Sequence, residues 1–172
     1  MKSSLSLLLI LSIPLLLGAS CQAPAKHDEG PVVKVIDGDT FDLLINGQQV
    51  RVRMDGIDAP ERGMDYYKVS KTYLGDLCMG KQVRVELKEK DQYQRWVGRG
   101  FLPDGRDLSL EMVKAGMAWH FKKYSTDAAL SRAEEEARIN KRGLWQLPEP
   151  LAPWDFRKSK RKKNVQSNTL GS

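Results

Sequence analysis

Residues 32–60 read VVKVIDGDTFDLLINGQQVRVRMDGIDAP. Three strands are legible there. Val32 to Ile36 is rich in β-branched residues; Phe41, Leu43 and Ile45 alternate with polar neighbours; Val50, Val52 and Met54 alternate with Gln49, Arg51 and Arg53. An apolar period of two marks a half-buried strand. Asn46-Gly47 between the second and third runs tolerates the positive φ of a tight hairpin turn. Two acidic turns flank this hairpin, Asp37-Gly38-Asp39 before it and Asp55 to Asp58 after it.

Beyond Pro60 the period changes. Tyr66, Val69, Tyr73 and Leu77 fall three and four apart, which predicts a helix over 64–79 ending near Gly80. Gln82 to Lys90 alternates again, and Val97 to Leu102 is a short strand before the Pro103-Asp104-Gly105 turn. Ser109 is expected to cap a short helix closed by Gly116. Ser125 or Thr126 is expected to cap a longer one, with Leu130, Ala133 and Ala137 as its apolar stripe and Gly143 as its end. The order is three strands, helix, two strands, two helices. Five short strands with a helix between the third and fourth is the arrangement of an OB-type barrel, an α+β fold with a mainly β core and three helices.

The 172 residues allow one domain of ordinary size. Two cysteines exclude a disulfide-dense scaffold, and two histidines argue against a histidine-rich metal centre. The apolar run Leu5–Leu17 follows Lys2 and ends in Gly18, Ala19 and Ser20. It is too short to span a bilayer and reads as an export signal, residues 1–21. Leu17 to Cys21 resembles a lipoprotein cleavage site, which makes Cys21 the lipidated N-terminus and a membrane anchor. The alternative is ordinary cleavage after Ala25, giving a secreted or periplasmic protein. Residues 22–31 read as a flexible tether, 32–146 as the domain, and 147–172 as a proline-containing, then basic, disordered tail. Cys78 is expected to be a buried, small apolar side chain.

Charge is unevenly placed. The formal net charge is +6, yet residues 22–156 carry 21 basic and 22 acidic side chains, and six cations crowd into Arg157–Lys163. A neutral body with a cationic end suits an anionic partner, nucleic acid or lipid headgroups.

Asp39 and Asp58 lie at the two ends that an antiparallel hairpin brings together. Paired carboxylates repel unless a cation or proton lies between them. Carboxylates with a backbone carbonyl and water are the ligands of hard ions such as Ca²⁺ or Mg²⁺. Pro60 fixes the chain so that the carbonyl of Ala59 can face inward. Arg53 and Arg95 are planar, permanently charged forks that match phosphate oxygens. Glu61 is the free carboxylate best placed to position or deprotonate a water. Either acidic turn alone would read as an ordinary turn; two around one hairpin, with arginines, read as a phosphoryl-transfer site.

These motifs, with Asp91-Gln92-Tyr93-Gln94-Arg95, Arg142-Gly143-Leu144-Trp145 and Pro153-Trp154-Asp155-Phe156-Arg157, resemble the staphylococcal nuclease family over about Val32–Arg157. The resemblance implies a Ca²⁺-dependent, exported nuclease acting on DNA and RNA with little sequence preference, leaving 3′-phosphate and 5′-hydroxyl ends. It implies Asp39, Asp58 and the Ala59 carbonyl as calcium ligands, Glu61 as the group activating water, and Arg53 and Arg95 on the scissile phosphate. Tyr93 and Tyr124 would line the nucleotide site, with Asp37 behind the ligands. No protein partner is implied, and a monomer is expected. His120 receives no role. Gln94 stands where the family usually has glycine, so a positive φ there would carry strain on the order of 1 kcal/mol. The alternative function is a non-catalytic nucleic-acid-binding module on the same barrel.

Overall fold

A computed structural model describes residues 27–169. The elements run β1 (His27–Val35), β2 (Thr40–Ile45), β3 (Gln48–Met54), β4 (Ile57–Asp58), α1 (Tyr67–Cys78), β5 (Gln82–Lys90), β6 (Trp96–Phe101), α2 (Leu108–Lys114), β7 (Trp119–His120), α3 (Ala128–Ile139) and α4 (Pro153–Thr169). A 3₁₀ turn covers Gly143–Gln146. Five of the strands close into a barrel in the order β1-β2-β3-β6-β5, the OB arrangement. β3 and β6 pair in parallel, and the other barrel pairs are antiparallel.

The alternation seen in the sequence is what fills the barrel. Phe41, Leu43, Val52, Val83, Val85 and Leu87 all turn inward and are buried. Curvature comes from irregular register in β1, between Val32 and Lys34, and in β5, between Leu87 and Glu89. Gly98 in β6 allows a close crossing, since a Cβ there would lie 2.5 Å from the Glu86 carbonyl oxygen. α1, α2 and α3 cap this core through Leu74, Met112, Val113, Leu130 and Ala133. A second, smaller cluster of Trp119, Ala137, Leu144 and Trp145 receives Trp154 from α4.

Several expectations are corrected. Strand β1 begins at His27, so the stretch 27–31 of the expected tether is paired, His27 opposite Glu86 through Pro31 opposite Gln82. Closure requires this, because β5 would otherwise present an unpaired edge. The signal segment, Cys21 and residues 22–26 lie outside the described residues. The helix caps are Asp107 and Asp127 rather than Ser109 and Ser125 or Thr126. The Asp107 carboxylate accepts from the Leu110 N–H, and that of Asp127 from the N–H groups of Ala129 and Leu130.

The largest correction lies after residue 147. The expected disordered tail contains a fourth helix, α4. Pro153 starts it, with no backbone donor to waste in the first turn. Lysine and arginine are good helix formers, so a basic run is no barrier once one end is anchored. The anchor is Trp154, stacked on Phe121 with ring centres 5.2 Å apart and planes 6° from parallel.

Cys78 is fully buried and its Sγ donates to the Leu74 carbonyl. Burial pushes the thiol up to about 12. At pH 8 Cys78 should therefore resist a thiol reagent such as DTNB in the native protein and react at once in guanidinium. Fast labelling of Cys78 itself, distinguished from Cys21 by peptide mapping, would contradict the packed contact of α1 with the barrel.

Candidate active site

The Asp37–Asp39 turn leads into β2, and the first rung of the hairpin sets Thr40 opposite Arg53. The Met54 N–H then donates to the Asp39 carbonyl at 2.7 Å, extending the pairing by one residue. After β3 the chain turns through Gly56, whose φ is +76°. It enters the two-residue strand β4, paired to β7 with Ile57 opposite His120 and Asp58 opposite Trp119. This small ribbon, outside the barrel, is what fixes Asp58. Gly38 permits the approach of α1, since a Cβ there would lie 1.9 Å from Ser70 Oγ.

Asp39 and Asp58 are thereby brought together and buried, at 5% and 2% exposure. Asp39 Oδ2 accepts the Ala59 N–H at 2.7 Å, and its Oδ1 accepts the Thr40 hydroxyl at 3.0 Å. A single guanidinium spans the two acids. Arg53 Nε lies 3.2 Å from Asp39 Oδ1, and its Nη2 lies 3.1 Å from Asp58 Oδ1. Its remaining nitrogen donates to the Met54 carbonyl at 2.7 Å, which locks the fork in plane.

A second guanidinium closes the cluster from the far end of the chain. Arg157 Nη2 donates to Asp58 Oδ2 at 2.6 Å, and its Nη1 donates to Glu61 Oε1 at 2.6 Å and Asp58 Oδ1 at 3.2 Å. Arg157 was absent from the expected site. Its sequence signal is the Trp-Asp-Phe-Arg segment, which runs without a break into the basic stretch that follows. Only α4, seated by Trp154, reveals that this residue belongs to the acids ninety-nine positions earlier.

Asp39, Asp58, Ala59, Glu61 and Arg53 thus gather as expected. Arg95 does not join them. Its side chain binds Asp91 Oδ2, Nε at 2.8 Å and Nη2 at 2.7 Å, and its N–H donates to Asp91 Oδ1. The nearest carboxylate in its own turn has captured it. Gln94 does take a positive φ, +62°. Arg95 faces a shallow hollow with Arg51, Asp42 and Tyr93, and its guanidinium lies 5.4 Å from the Tyr93 ring centre. Tyr124 lines a different groove, beside α4. The two tyrosines, each 68% exposed, therefore do not share one pocket. His120 is buried between the hydroxyls of Ser125 and Ser131, and burial lowers its pKa, a structural setting.

Burial makes two carboxyls of the cluster costly to ionise. Burial raises the pKa of Asp58 against the pull of Arg157 and Arg53. Burial, then the charge of Asp39, raises Asp37 to about 7. Burial opposes the charge on Arg157, but its bonds to Asp58 and Glu61 outweigh this and hold the guanidinium firmly protonated. Among the described residues no three His, Cys, Asp or Glu side chains form a metal-binding group by themselves. Two hard carboxylates whose ionisation an added cation would favour do fit a divalent ion completed by carbonyl and water. The donors do not fit a soft metal.

Comparison with known proteins adds to this geometry. The family described as "Staphylococcal nuclease homologue" matches residues 51–147. An "Uncharacterized endonuclease" of Escherichia coli O157:H7 is 41% identical over 131 residues, 76% of this chain and 86% of that protein. A "Micrococcal nuclease" of Shigella flexneri is 37% identical over 169 residues, 92% of this chain and 97% of that protein. "Protein ParB" of Escherichia coli is 35% identical over 139 residues, 75% and 78% of the two chains.

Arg157→Ala should leave Asp58 and Glu61 short of a partner and cost about 1–2 kcal/mol in chelator, after allowance for the exposure of the arginine. The expected reading is a fall of several degrees in Tm that millimolar CaCl₂ largely reverses. A variant as stable as the parent in EDTA would mean that Arg157 carries no weight in the cluster.

Proposed function

The chain belongs to the staphylococcal nuclease family, and on that premise we propose that it is an exported, Ca²⁺-dependent nuclease. It hydrolyses phosphodiester bonds of DNA and RNA with low sequence specificity, leaving 3′-phosphate and 5′-hydroxyl ends. The observation that carries this reading is the pair of buried acids, Asp39 and Asp58, spanned by one arginine with Glu61 alongside.

Asp39, Asp58 and the carbonyl of Ala59 would hold the divalent ion, which when bound supplies positive charge to the phosphoryl oxygens. Glu61 accepts the proton of the water that attacks phosphorus. The P–O5′ bond breaks as the new P–O bond forms, and the departing oxygen takes up a proton to become the 5′-hydroxyl. Arg53, held in plane by the Met54 carbonyl, offers its fork to the phosphoryl oxygens as charge accumulates there. Arg95 acts on the same phosphate only if substrate draws it away from Asp91, in competition with a two-bond local pair. Contacts of this kind recognise phosphate and carry no base information, in keeping with low specificity. The export signal and Cys21 support action outside the cytoplasm, at the envelope through a lipid anchor or released after cleavage behind Ala25. The protein acts as a monomer.

Single-stranded DNA should be cut in CaCl₂ and survive in excess chelator. Binding without cutting in calcium would instead favour the non-catalytic module. Arg53→Ala should lower kcat about 10²-fold or more. Glu61→Gln should depress turnover far more than calcium affinity, and an equal loss of both would make Glu61 a metal ligand. An Arg95→Ala enzyme with unchanged kcat would show that Arg95 stays with Asp91 throughout the reaction.

A further inference from the structure

We propose that α4 forms one wall of a track for single-stranded nucleic acid, leading the strand to the acidic centre. The inference rests on the nuclease reading and names a surface which that reading does not require. A groove of about 790 Å³ lies between α4 and the Phe121–Tyr124 segment that follows β7. Seven cationic side chains line it against two acidic ones. One of those acids, Glu134, is already engaged by Lys122 at 2.9 Å and by the His120 N–H.

The helix presents its cations in register. Arg157, Lys158, Arg161 and Lys162 are spaced so that 157 and 161, and 158 and 162, lie one turn apart on the same side. The first of them, Arg157, is also bonded to Asp58 and Glu61, so one residue belongs both to the groove and to the candidate active site. Lys158, Arg161 and Lys162 form no ion pair among the described residues, and their charge is available to a partner. The body of the protein is close to neutral, so this face holds a large share of the net charge.

The groove is also aromatic. Phe121 and Trp154 stack in its wall, and Tyr124, set edge-on to Phe121 at 4.8 Å, exposes its ring. Cations that follow a phosphate backbone, interleaved with ring faces on which any base can stack, are the two components of sequence-tolerant single-strand binding. A bilayer presents a broad surface that does not enter a concave groove, whereas a single strand fits one and stacks its bases on rings in the wall. The concave shape and the aromatic wall therefore favour a polynucleotide.

The test uses the full chain and a fluorescein-labelled oligothymidylate of about 12 nucleotides, titrated by anisotropy in EDTA so that nothing is cut. Each single-strand phosphate contact contributes about 0.7 to the salt slope, so the triple variant K158A/R161A/K162A should lower its magnitude by about 2. In calcium, kcat/KM on a long single strand should fall about tenfold more than on a mononucleotide 5′-aryl phosphodiester. Tyr124→Ala should weaken binding without changing the slope. An unchanged slope in the triple variant, or equal losses on both substrates, would overturn the proposal. So would loss of binding to phosphatidylglycerol vesicles with oligonucleotide binding intact, which would make α4 a lipid contact. A parent protein that binds with the expected slope but cuts nothing would sink the nuclease reading and leave the track standing.

Discussion

Two carboxylates buried side by side are unstable unless something positive joins them, and this constraint organises the molecule. Asp39 and Asp58 lie on different elements, one at the mouth of the barrel and one on a two-residue strand beside it. Arg53, on the strand between them, is the one side chain among the described residues that is bonded to both. The barrel has to close for β3 to place Arg53. The β4–β7 ribbon has to form for Asp58 to meet it. Folding thus collects a repulsive cluster that an arginine holds together, and the remaining demand for positive charge is what makes the cluster useful.

The last helix meets part of that demand. Arg157 bridges Asp58 and Glu61, so the C-terminal segment contributes to a site otherwise built from the first third of the chain. Its hold combines this charge pairing with aromatic packing. Trp154 stacks on Phe121, next to the T-shaped pair Trp119 and Trp145, whose ring centres are 5.4 Å apart. β7 carries Trp119, so the strand that pins Asp58 also supports the platform on which α4 sits. Acid cluster and helix are mechanically one unit, and the basic face of α4 acquires a defined position next to the reacting centre.

Arg95 marks a limit of reading roles from spacing. Its position in the sequence pairs it with Arg53, yet Asp91, four residues away, offers a carboxylate with no search cost and takes it. For Arg95 the partner within one turn outcompetes the distant acids, whereas Arg157 reaches across the fold because α4 is docked beside them. Gln94 sustains the turn at a positive φ of 62° despite its side chain. Tyr93 goes with Arg95, away from Tyr124, for the same reason.

The alternation of residues 32–54 and 82–102 by itself determined strands with one buried face, carrying Phe41, Leu43, Val52 and Val85, and the order of strands and helices pointed to the barrel. The hairpin across Asn46-Gly47 determined that Asp39 and Arg53 would meet, since an antiparallel pair returns its ends to one place, whereas Asp58 needed the β4–β7 ribbon and Glu61 the arginine of α4. Local periodicity carried no information about contacts a hundred residues apart. That β1 starts at His27, that Arg95 turns to Asp91 and that Arg157 reaches Asp58 were decided only in the tertiary structure. Edge closure, competition among partners and the docking of one tryptophan depend on what lies beside a segment in space, and a charged, proline-led stretch reads the same whether it hangs free or finds a platform.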